Sequence, residues 1–227
     1  DPIYTTETCV LGTLNVLNFA LQKNAKVLFT STSEVYGDPE VHPQPESYRG
    51  SVNPIGIRAC YDEGKRCAES LFYDFHRTHG LDIKVARLFN TYGPLMRADD
   101  GRVVSNFICQ SILDHPITMY GDGSQTRSFC HVDDLIRGLQ LLMNTESNIP
   151  HPVNLGNPGE FTLLELVNQI ELITEKKLQV EFLPLPLDDP KKRKPDISVA
   201  MQKLEWEPSI SLKDGLKDTY EYFQNQL

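Results

Sequence analysis

Tyr61 and Lys65 stand four residues apart in the run Tyr61-Asp62-Glu63-Gly64-Lys65. On a helix such positions share a face, with Cβ atoms about 5–6 Å apart. An ammonium that close favours the phenolate and lowers the tyrosine's pKa, which makes Tyr61 a general base for a substrate hydroxyl. Taken alone, the pair fits equally well a half-buried tyrosine beside a solvated lysine. Upstream, the apolar run 26–31 leads into Thr30-Ser31-Thr32-Ser33-Glu34. Chemistry in open α/β sheets gathers at the carboxyl ends of strands, and a hydroxyl from this cluster can bond both the tyrosine oxygen and a substrate. Hydroxyl clusters also serve turns. Glu34 is more telling, because a carboxylate directly after an apolar strand is unusual unless it is paired or functional. Arg127 follows Gly121-Asp122-Gly123-Ser124, which reads as a flexible loop over a site. Guanidinium forks match phosphate and carboxylate oxygens; the plainer reading of Arg127 is a surface salt bridge.

The elements that must hold these residues follow from apolar spacing. Helical spacing covers 6–23 and 58–79, with short apolar strands at 26–31 and 83–88. A Pro-, Ser- and Gly-rich stretch over 37–54 reads as a surface loop. Two further helices are expected at 103–113 and 132–143, a short strand at 153–155, and a helix at 162–173 whose Thr162 and Glu165 fit a capping box. A strand at 178–183 and helices at 198–204 and 212–224 complete the chain. Helices alternating with apolar strands predict an α/β layered fold. After Gly93 the strands shorten and the loops lengthen, which predicts a smaller C-terminal α/β lobe for substrate over 94–227, some of its segments returning to the sheet of 1–93. A dinucleotide site needs a glycine fingerprint at a strand-to-helix turn, and neither Gly-x-Gly-x-x-Gly nor Gly-x-x-Gly-x-x-Gly occurs at one.

Bulk properties narrow the function classes. The 227 residues make one large domain or two small ones. With 22 Lys+Arg against 31 Asp+Glu the formal net charge is -9, which argues against a nucleic-acid binder. Hydrophobic residues are 40% and charged residues 23%, a globular balance. No window approaches the ~18 apolar residues of a membrane span, and the first residues lack the basic start and apolar stretch of a signal peptide. The five cysteines contain no Cys-x-x-Cys pair, which speaks against zinc or a disulfide scaffold. Cys60 and Cys67 on one helix would lie ~10 Å apart along its axis, beyond the ~7 Å limit for a bridge. Buried thiols in a reducing, cytoplasmic compartment are expected. The six histidines show no metal spacing, and His76 and His79 read as surface residues. The basic run Lys191-Lys192-Arg193-Lys194 reads as a solvated loop with one functional arginine.

The hydroxyl-rich strand end, the Tyr-x-x-x-Lys pair and Arg87-Leu88-Phe89-Asn90-Thr91-Tyr92-Gly93-Pro94 together resemble the extended short-chain dehydrogenase/reductases, enzymes with a Rossmann-like parallel sheet that act on nucleotide sugars with a tightly held NAD. Within that superfamily the chain resembles the UDP-glucuronate decarboxylases, also called UDP-xylose synthases. The likeness rests on Thr32 to Pro39, Asn53-Pro54-Ile55-Gly56, Cys60 to Arg66, Asp100 to Phe107, Tyr120 to Arg127 and Asp188 to Ile197. It covers essentially the whole chain.

The resemblance implies roles residue by residue. Thr32 would be the hydroxyl beside the catalytic tyrosine, Tyr61 the base, and Lys65 its partner and a contact to the nicotinamide ribose. Glu34 matches the acid that separates decarboxylases from 4-epimerases. Asn90, Arg127 and Arg193 fall where the family contacts the nucleotide diphosphate and sugar, Thr91 and Arg102 near the cofactor, and Arg58 at a carboxylate-reading position. The implied reaction oxidises C4 of UDP-glucuronate, loses CO₂ from the resulting β-keto acid, protonates C5 with help from Glu34 and Arg127 or Arg193, and reduces C4 again to give UDP-xylose. The family also implies a homodimer through a four-helix bundle of helices 6–23 and 58–79, and a Golgi-lumenal location where an N-terminal anchor is present. Relatives carry the glycine-rich loop ahead of the segment seen here, so the resemblance implies an N-terminally incomplete copy: part of a working decarboxylase, or an inactive remnant that binds nucleotide or dimerises. A 4,6-dehydratase or 4-epimerase is the neighbouring activity. Two departures stand out: Ile57 where proline is usual, and Leu95 where arginine is usual, with Arg97 as its nearest basic substitute.

Overall fold

The computed structural model describes residues 1–146, 149–184 and 193–227. The resemblance over 188–197 and the basic run 191–194 therefore lie partly outside the described residues. The chain opens on α1 (Pro2–Glu7), capped by the Asp1 carboxylate, which accepts from the Tyr4 amide. A π-helical turn (Thr8–Gly12) carries it into α2 (Thr13–Lys23), which ends on left-handed Asn24. The helix thus begins four residues before its apolar pattern does. There follow β1 (Val27–Thr32), a 3-10 turn (Ser33–Tyr36), α3 (Ala59–His79), β2 (Ile83–Leu88), β3 (Thr91–Tyr92), α4 (Val103–Ile112), β4 (Ile117–Tyr120), β5 (Thr126–Ser128), β6 (Cys130–His131) and α5 (Val132–Asn144). β7 (Val153–Leu155), β8 (Glu160–Thr162), α6 (Leu163–Thr174), β9 (Val180–Leu183), α7 (Ser198–Leu204) and α8 (Leu212–Gln224) complete it.

β1, β2 and β7 form a parallel sheet in the order β1-β2-β7, with Val27 opposite Ile83 and Ala86 opposite Val153. Alternate residues on these strands go to opposite faces. Val27, Phe29, Ile83 and Val85 pack with Leu17, Ala20 and Phe72 of α2 and α3. Leu28, Ala86, Leu88, Val153 and Leu155 pack with Leu135 and Leu142 of α5, Ala200 of α7, and Trp206. Both faces are covered, which is why these strands read as continuous apolar runs. A second core joins α4, α6 and α8 through Phe107, Ile108, Leu166, Ile170, Leu216 and Phe223. The α/β layering with a Rossmann-like parallel sheet is as the sequence predicts.

The short strands β3, β4, β5, β6 and β8 have no expected counterpart. They span two to four residues, too few for a period to register, and their partners are distant: Ile117 of β4 meets Val180 of β9. Residues 37–54 form neither helix nor strand and are mostly exposed, as a surface loop should be, but one residue anchors the stretch in the interior. Gln44 is fully buried; its amide donates to Lys194 O at 2.9 Å, and its carbonyl accepts from Asp196 N at 3.0 Å and Asn154 Nδ2 at 2.9 Å. The thiols correct an expectation: Cys109 and Cys130 are buried but Cys67 is exposed, and all five are free. His76 and His79 are exposed as expected. Among the described residues no helix is long and apolar enough to cross a membrane, and no cluster of His, Cys, Asp or Glu is arranged to hold a metal ion.

Candidate active site

A cleft of about 780 Å³ opens at the carboxyl ends of β1 and β2, between the parallel sheet and the second core. Thr32 and Glu34 reach it from the end of β1 and the turn that follows, Arg58, Tyr61 and Lys65 from the start of α3, and Asn90 and Thr91 from the exit of β2. Arg102 enters it just ahead of α4, and Arg127 from β5 across the opening. Arg193 is not on the cleft surface.

Thr32 does two jobs at once. Its Oγ1 accepts from the Glu34 amide at 3.2 Å, capping the 3-10 turn, and the hydroxyl also acts on the Tyr61 phenol, favouring its ionised form. Lys65 departs from the expected geometry. Its ammonium donates to the Thr30 carbonyl at 3.0 Å and lies over the rings of Phe29 and Tyr61, 4.8 and 5.9 Å from their centroids. The expected lowering of the Tyr61 pKa is therefore reversed: burial raises it, and the Thr32 hydroxyl only partly offsets this. Burial likewise lowers the Lys65 pKa. Both groups are pushed toward their neutral forms.

Glu34 is held by two guanidiniums. Arg58 Nη2 donates to Glu34 Oε2 at 3.1 Å, and Arg193 Nη2 lies 3.5 Å from the same oxygen. Arg193 is 2% exposed and lies behind the cleft wall, donating to the carbonyls of Ser33 and Gly37. The burial of Arg193 and its ion pair with Glu34 place it as a support of that carboxylate, where a contact to sugar or diphosphate was expected. Gly37 lets the backbone come that close: its φ is +62°, and a Cβ there would meet Ser51 O at 1.9 Å.

The remaining residues are placed as follows. Arg127 Nη1 donates to Thr126 O at 2.9 Å. The Asn90 carbonyl accepts from Cys130 N at 2.9 Å, and Thr91 Oγ1 donates to Phe89 O at 2.9 Å. Arg102 is largely exposed and 3.4 Å from Asp100. Leu95 is exposed with a left-handed backbone, and Arg97 pairs with Asp99 in solvent, outside the cleft lining.

Two features were not foreseen. Asp62, beside Tyr61, is 9% exposed with an Oδ1 that has no hydrogen-bond partner, and burial pushes its pKa up to about 6. Little in the local sequence marks it, since its burial comes from packing and the charges acting on it include Glu34 and Arg193, distant in sequence, as well as Arg58. Behind the strand ends, Glu69 accepts from Ser31 Oγ at 2.6 Å and from Arg87 Nε and Nη2 at 2.9 and 2.7 Å. The Arg87 within Arg87-Leu88-Phe89-Asn90 was the available signal.

The donor set suits the nicotinamide-ribose end of NAD: an ammonium and hydroxyls at the ends of parallel strands, opposite apolar Leu88, Val103 and Phe107. Among the described residues no glycine-rich strand-to-helix turn faces a pyrophosphate.

The comparisons with known proteins agree with this architecture. The model of the NAD dependent epimerase/dehydratase family matches residues 1–156. The chain is 56% identical over 227 residues to UDP-glucuronic acid decarboxylase 1 of Arabidopsis thaliana and 52% identical over 227 residues to UDP-glucuronic acid decarboxylase 1 of Danio rerio. All of this chain is covered, against 52% and 54% of those relatives, so it spans about half their length. Among solved structures it is similar to UDP-glucuronic acid 4-epimerase from Bacillus cereus in complex with UDP-glucuronic acid and NAD (TM-score 0.88, 30% identity, 97% of this chain and 69% of that one). It is also similar to UDP-glucose 4-epimerase with UDP-glucose from Thermotoga maritima (TM-score 0.92, 29% identity, 100% and 72%). With a family model matched over more than half its length and a fold shared with these solved structures, this chain belongs to the NAD dependent epimerase/dehydratase family.

Proposed function

We propose that the protein carrying this chain decarboxylates UDP-glucuronate to UDP-xylose. The observation that carries the reading is Glu34, a carboxylate held by Arg58 at 3.1 Å on the same cleft wall as Tyr61 and Lys65. A Tyr/Lys pair alone serves any sugar C4 hydroxyl; an acid set between guanidiniums also serves a uronate carboxyl and the carbon that loses it.

NAD, when bound, supplies the hydride acceptor for C4, returns the hydride, and in its oxidised form carries a positive ring. Lys65 and Thr91 would hold it, with Arg102 at the rim. Tyr61 takes and returns the C4 hydroxyl proton, with Thr32 fixing the phenol's orientation. Arg58 and Arg127 orient the sugar carboxylate and Asn90 the diphosphate side. Glu34, steadied by Arg193, helps place the proton that C5 takes up once the carboxylate has left.

Three neighbouring expectations belong to the same proposal. Ile3, Tyr4, Leu11, Val16 and Phe19 leave an apolar outer face on α1 and α2, which supports a homodimer through a four-helix bundle. The separate core of α4, α6 and α8 supports a substrate lobe over 94–227 beside a cofactor domain over 1–93. Five free cysteines fit a cytoplasmic setting, with the Golgi lumen the alternative for a form anchored elsewhere in the protein.

The test is product analysis with the full-length protein, NAD and UDP-glucuronate labelled at C6. Labelled CO₂ with a UDP-pentose supports the reading. A six-carbon product inverted at C4, the outcome to which the likeness to UDP-glucuronic acid 4-epimerase points, or a dehydrated product, overturns it. No turnover with UDP binding retained identifies a binding remnant.

A further inference from the structure

Asp62 has no place in the chemistry above, yet it is the most unusual carboxyl at the site. It lies on the first turn of α3, directly after Tyr61. It is 9% exposed, and its Oδ1 has no hydrogen-bond partner. A carboxylate oxygen taken out of water without a partner is a costly arrangement. The charged groups facing it come from four places: Glu34 from the 3-10 turn, Arg58 from the residue preceding α3, Arg193 from the segment ahead of α7, and Glu63 from α3 itself. Glu63 is engaged by Arg66 at 3.4 Å. Both guanidiniums turn toward Glu34 Oε2, at 3.1 and 3.5 Å, and Arg193 also donates to the carbonyls of Ser33 and Gly37. Asp62 thus sits in the field of the arginines without a hydrogen bond from either.

The charge balance of this cluster depends on one proton. With Asp62 ionised, its charge and that of Glu34 balance Arg58 and Arg193, and the positive charge left for an anionic ligand is that of Arg127 across the opening. With Asp62 protonated, two guanidiniums face one carboxylate, and the cluster offers one positive charge at a wall where Arg58 and Glu34 line the cleft. We propose that Asp62 is a positioning residue that takes up a proton when a sugar carboxylate enters the cleft, so that recognition of a uronate is linked to protonation of this buried acid. Linkage makes the effect reciprocal: an anion beside the cluster raises the proton affinity of Asp62, and a proton on Asp62 raises the affinity for the anion. The raised pKa of about 6 places Asp62 where this exchange operates near neutral pH. The inference rests on the proposed uronate substrate, but it concerns binding and not the fate of the carboxyl.

The experiment is calorimetry of UDP-glucuronate binding to the NAD-loaded full-length protein in a Tyr61→Phe background, so that no heat of turnover enters. Titrations at pH 7 in two buffers of different ionisation enthalpy give the protons taken up. We expect ~0.5 proton or more for UDP-glucuronate and close to none for UDP-glucose, which shares the nucleotide and lacks the carboxylate. We expect affinity for UDP-glucuronate to weaken between pH 6.5 and 8.5 by up to about tenfold per unit. Adding Asp62→Asn should remove the uptake and flatten that dependence while UDP still binds. Equal uptake with both sugars overturns the proposal on the unsubstituted Asp62 protein alone, whatever the folding of the variant. Equal uptake with and without Asp62→Asn overturns it as well. Product analysis separates the two readings: CO₂ release without Asp62-dependent uptake defeats this inference and leaves the decarboxylase, whereas Asp62-dependent uptake without CO₂ release defeats the decarboxylase and leaves a uronate site.

Discussion

At the scale of single residues, Tyr61 and Lys65 show what spacing reveals and what it hides. Their shared helical face follows from i and i+4; the direction of the Tyr61 pKa does not, because it turns on burial and on the Thr30 carbonyl that holds the ammonium. With the phenol pushed up, its proton transfer is the step most exposed to substitution. Tyr61→Phe should lower kcat for UDP-glucuronate turnover by about 10²–10⁴-fold, while calorimetry with UDP shows binding retained; a loss under tenfold would remove Tyr61 from the chemistry. Asp62 gives a stability prediction of definite sign. Its folded-state pKa of about 6 exceeds the ordinary 3.8, so the folded protein holds this proton more tightly than the unfolded chain does. Stability from this group is present below pH 4 and is lost as pH rises to 6 and beyond. Asp62→Asn should therefore stabilise relative to the native protein at pH 8, on the order of 1–2 kcal/mol, and the gain should shrink toward pH 4.5. Paired denaturant melts at the two pH values check it; a pH-independent difference would show that burial of the charge is not the cause. The individual donors at the cleft were legible as residue types after apolar strands. Arg193 was not legible as a buried support, since its partners Ser33 and Gly37 are some 160 positions away in the chain.

At the scale of elements, legibility follows how local the cause is. The box at the start of α6 is written within four residues: Thr162 Oγ1 accepts from Glu165 N at 3.1 Å, and Glu165 Oε2 accepts from Thr162 N at 2.7 Å. Because α6 supplies Leu166 and Ile170 to the second core, fraying its first turn reaches the substrate side of the cleft. Thr162→Ala should cost about 1 kcal/mol in urea unfolding, with little effect on the face formed by α2 and α3. The pairing of β4 with β9 has no such local cause and was invisible for that reason. Gly64 is intermediate. A glycine inside α3 looks like a weakness of about 1 kcal/mol that alanine would repair. The fold says otherwise: a Cβ at Gly64 would lie 2.9 Å from Cys9 Cβ, on the π-helical turn between α1 and α2. Overlap in a packed interface costs about 1–3 kcal/mol, which outweighs the propensity gain. Gly64→Ala should lower stability and disturb Tyr61 and Lys65 on either side of it; a raised melting temperature would show that α1 and α3 have room to part.

At the scale of the whole molecule, the strand ends that carry the chemistry are joined by one buried polar network. Glu69 of α3 accepts from Ser31 at the end of β1 and makes a two-bond pair with Arg87 of β2. Arg87 Nη1 donates on to the Tyr36 hydroxyl at 3.0 Å and the Glu46 carbonyl at 3.1 Å. Tyr36 donates to Asn154 Oδ1 of β7 at 2.7 Å, and Asn154 Nδ2 donates to the carbonyls of Gln44 and Asp196. All three strands of the parallel sheet, the loop after β1 and the segment carrying Arg193 thus meet at groups whose bonds depend on one another. The side chains of Arg87 and Glu69 are 12% and 9% exposed. A buried pair of this kind contributes little net stability against apolar residues of the same shape, but losing one partner strands the other charge at a cost of about 3–5 kcal/mol. Glu69→Ala should therefore destabilise by that amount in denaturant unfolding, and Glu69→Leu with Arg87→Leu should recover most of it. Stability and site order part company in the double variant: with the pair gone, nothing ionic holds Ser31 and Tyr36 at either end of the Thr32–Val35 segment, so UDP-glucuronate turnover should stay low even where the melting temperature returns. Recovery of both together would show that packing alone positions the site, and that the network only fills space beneath it.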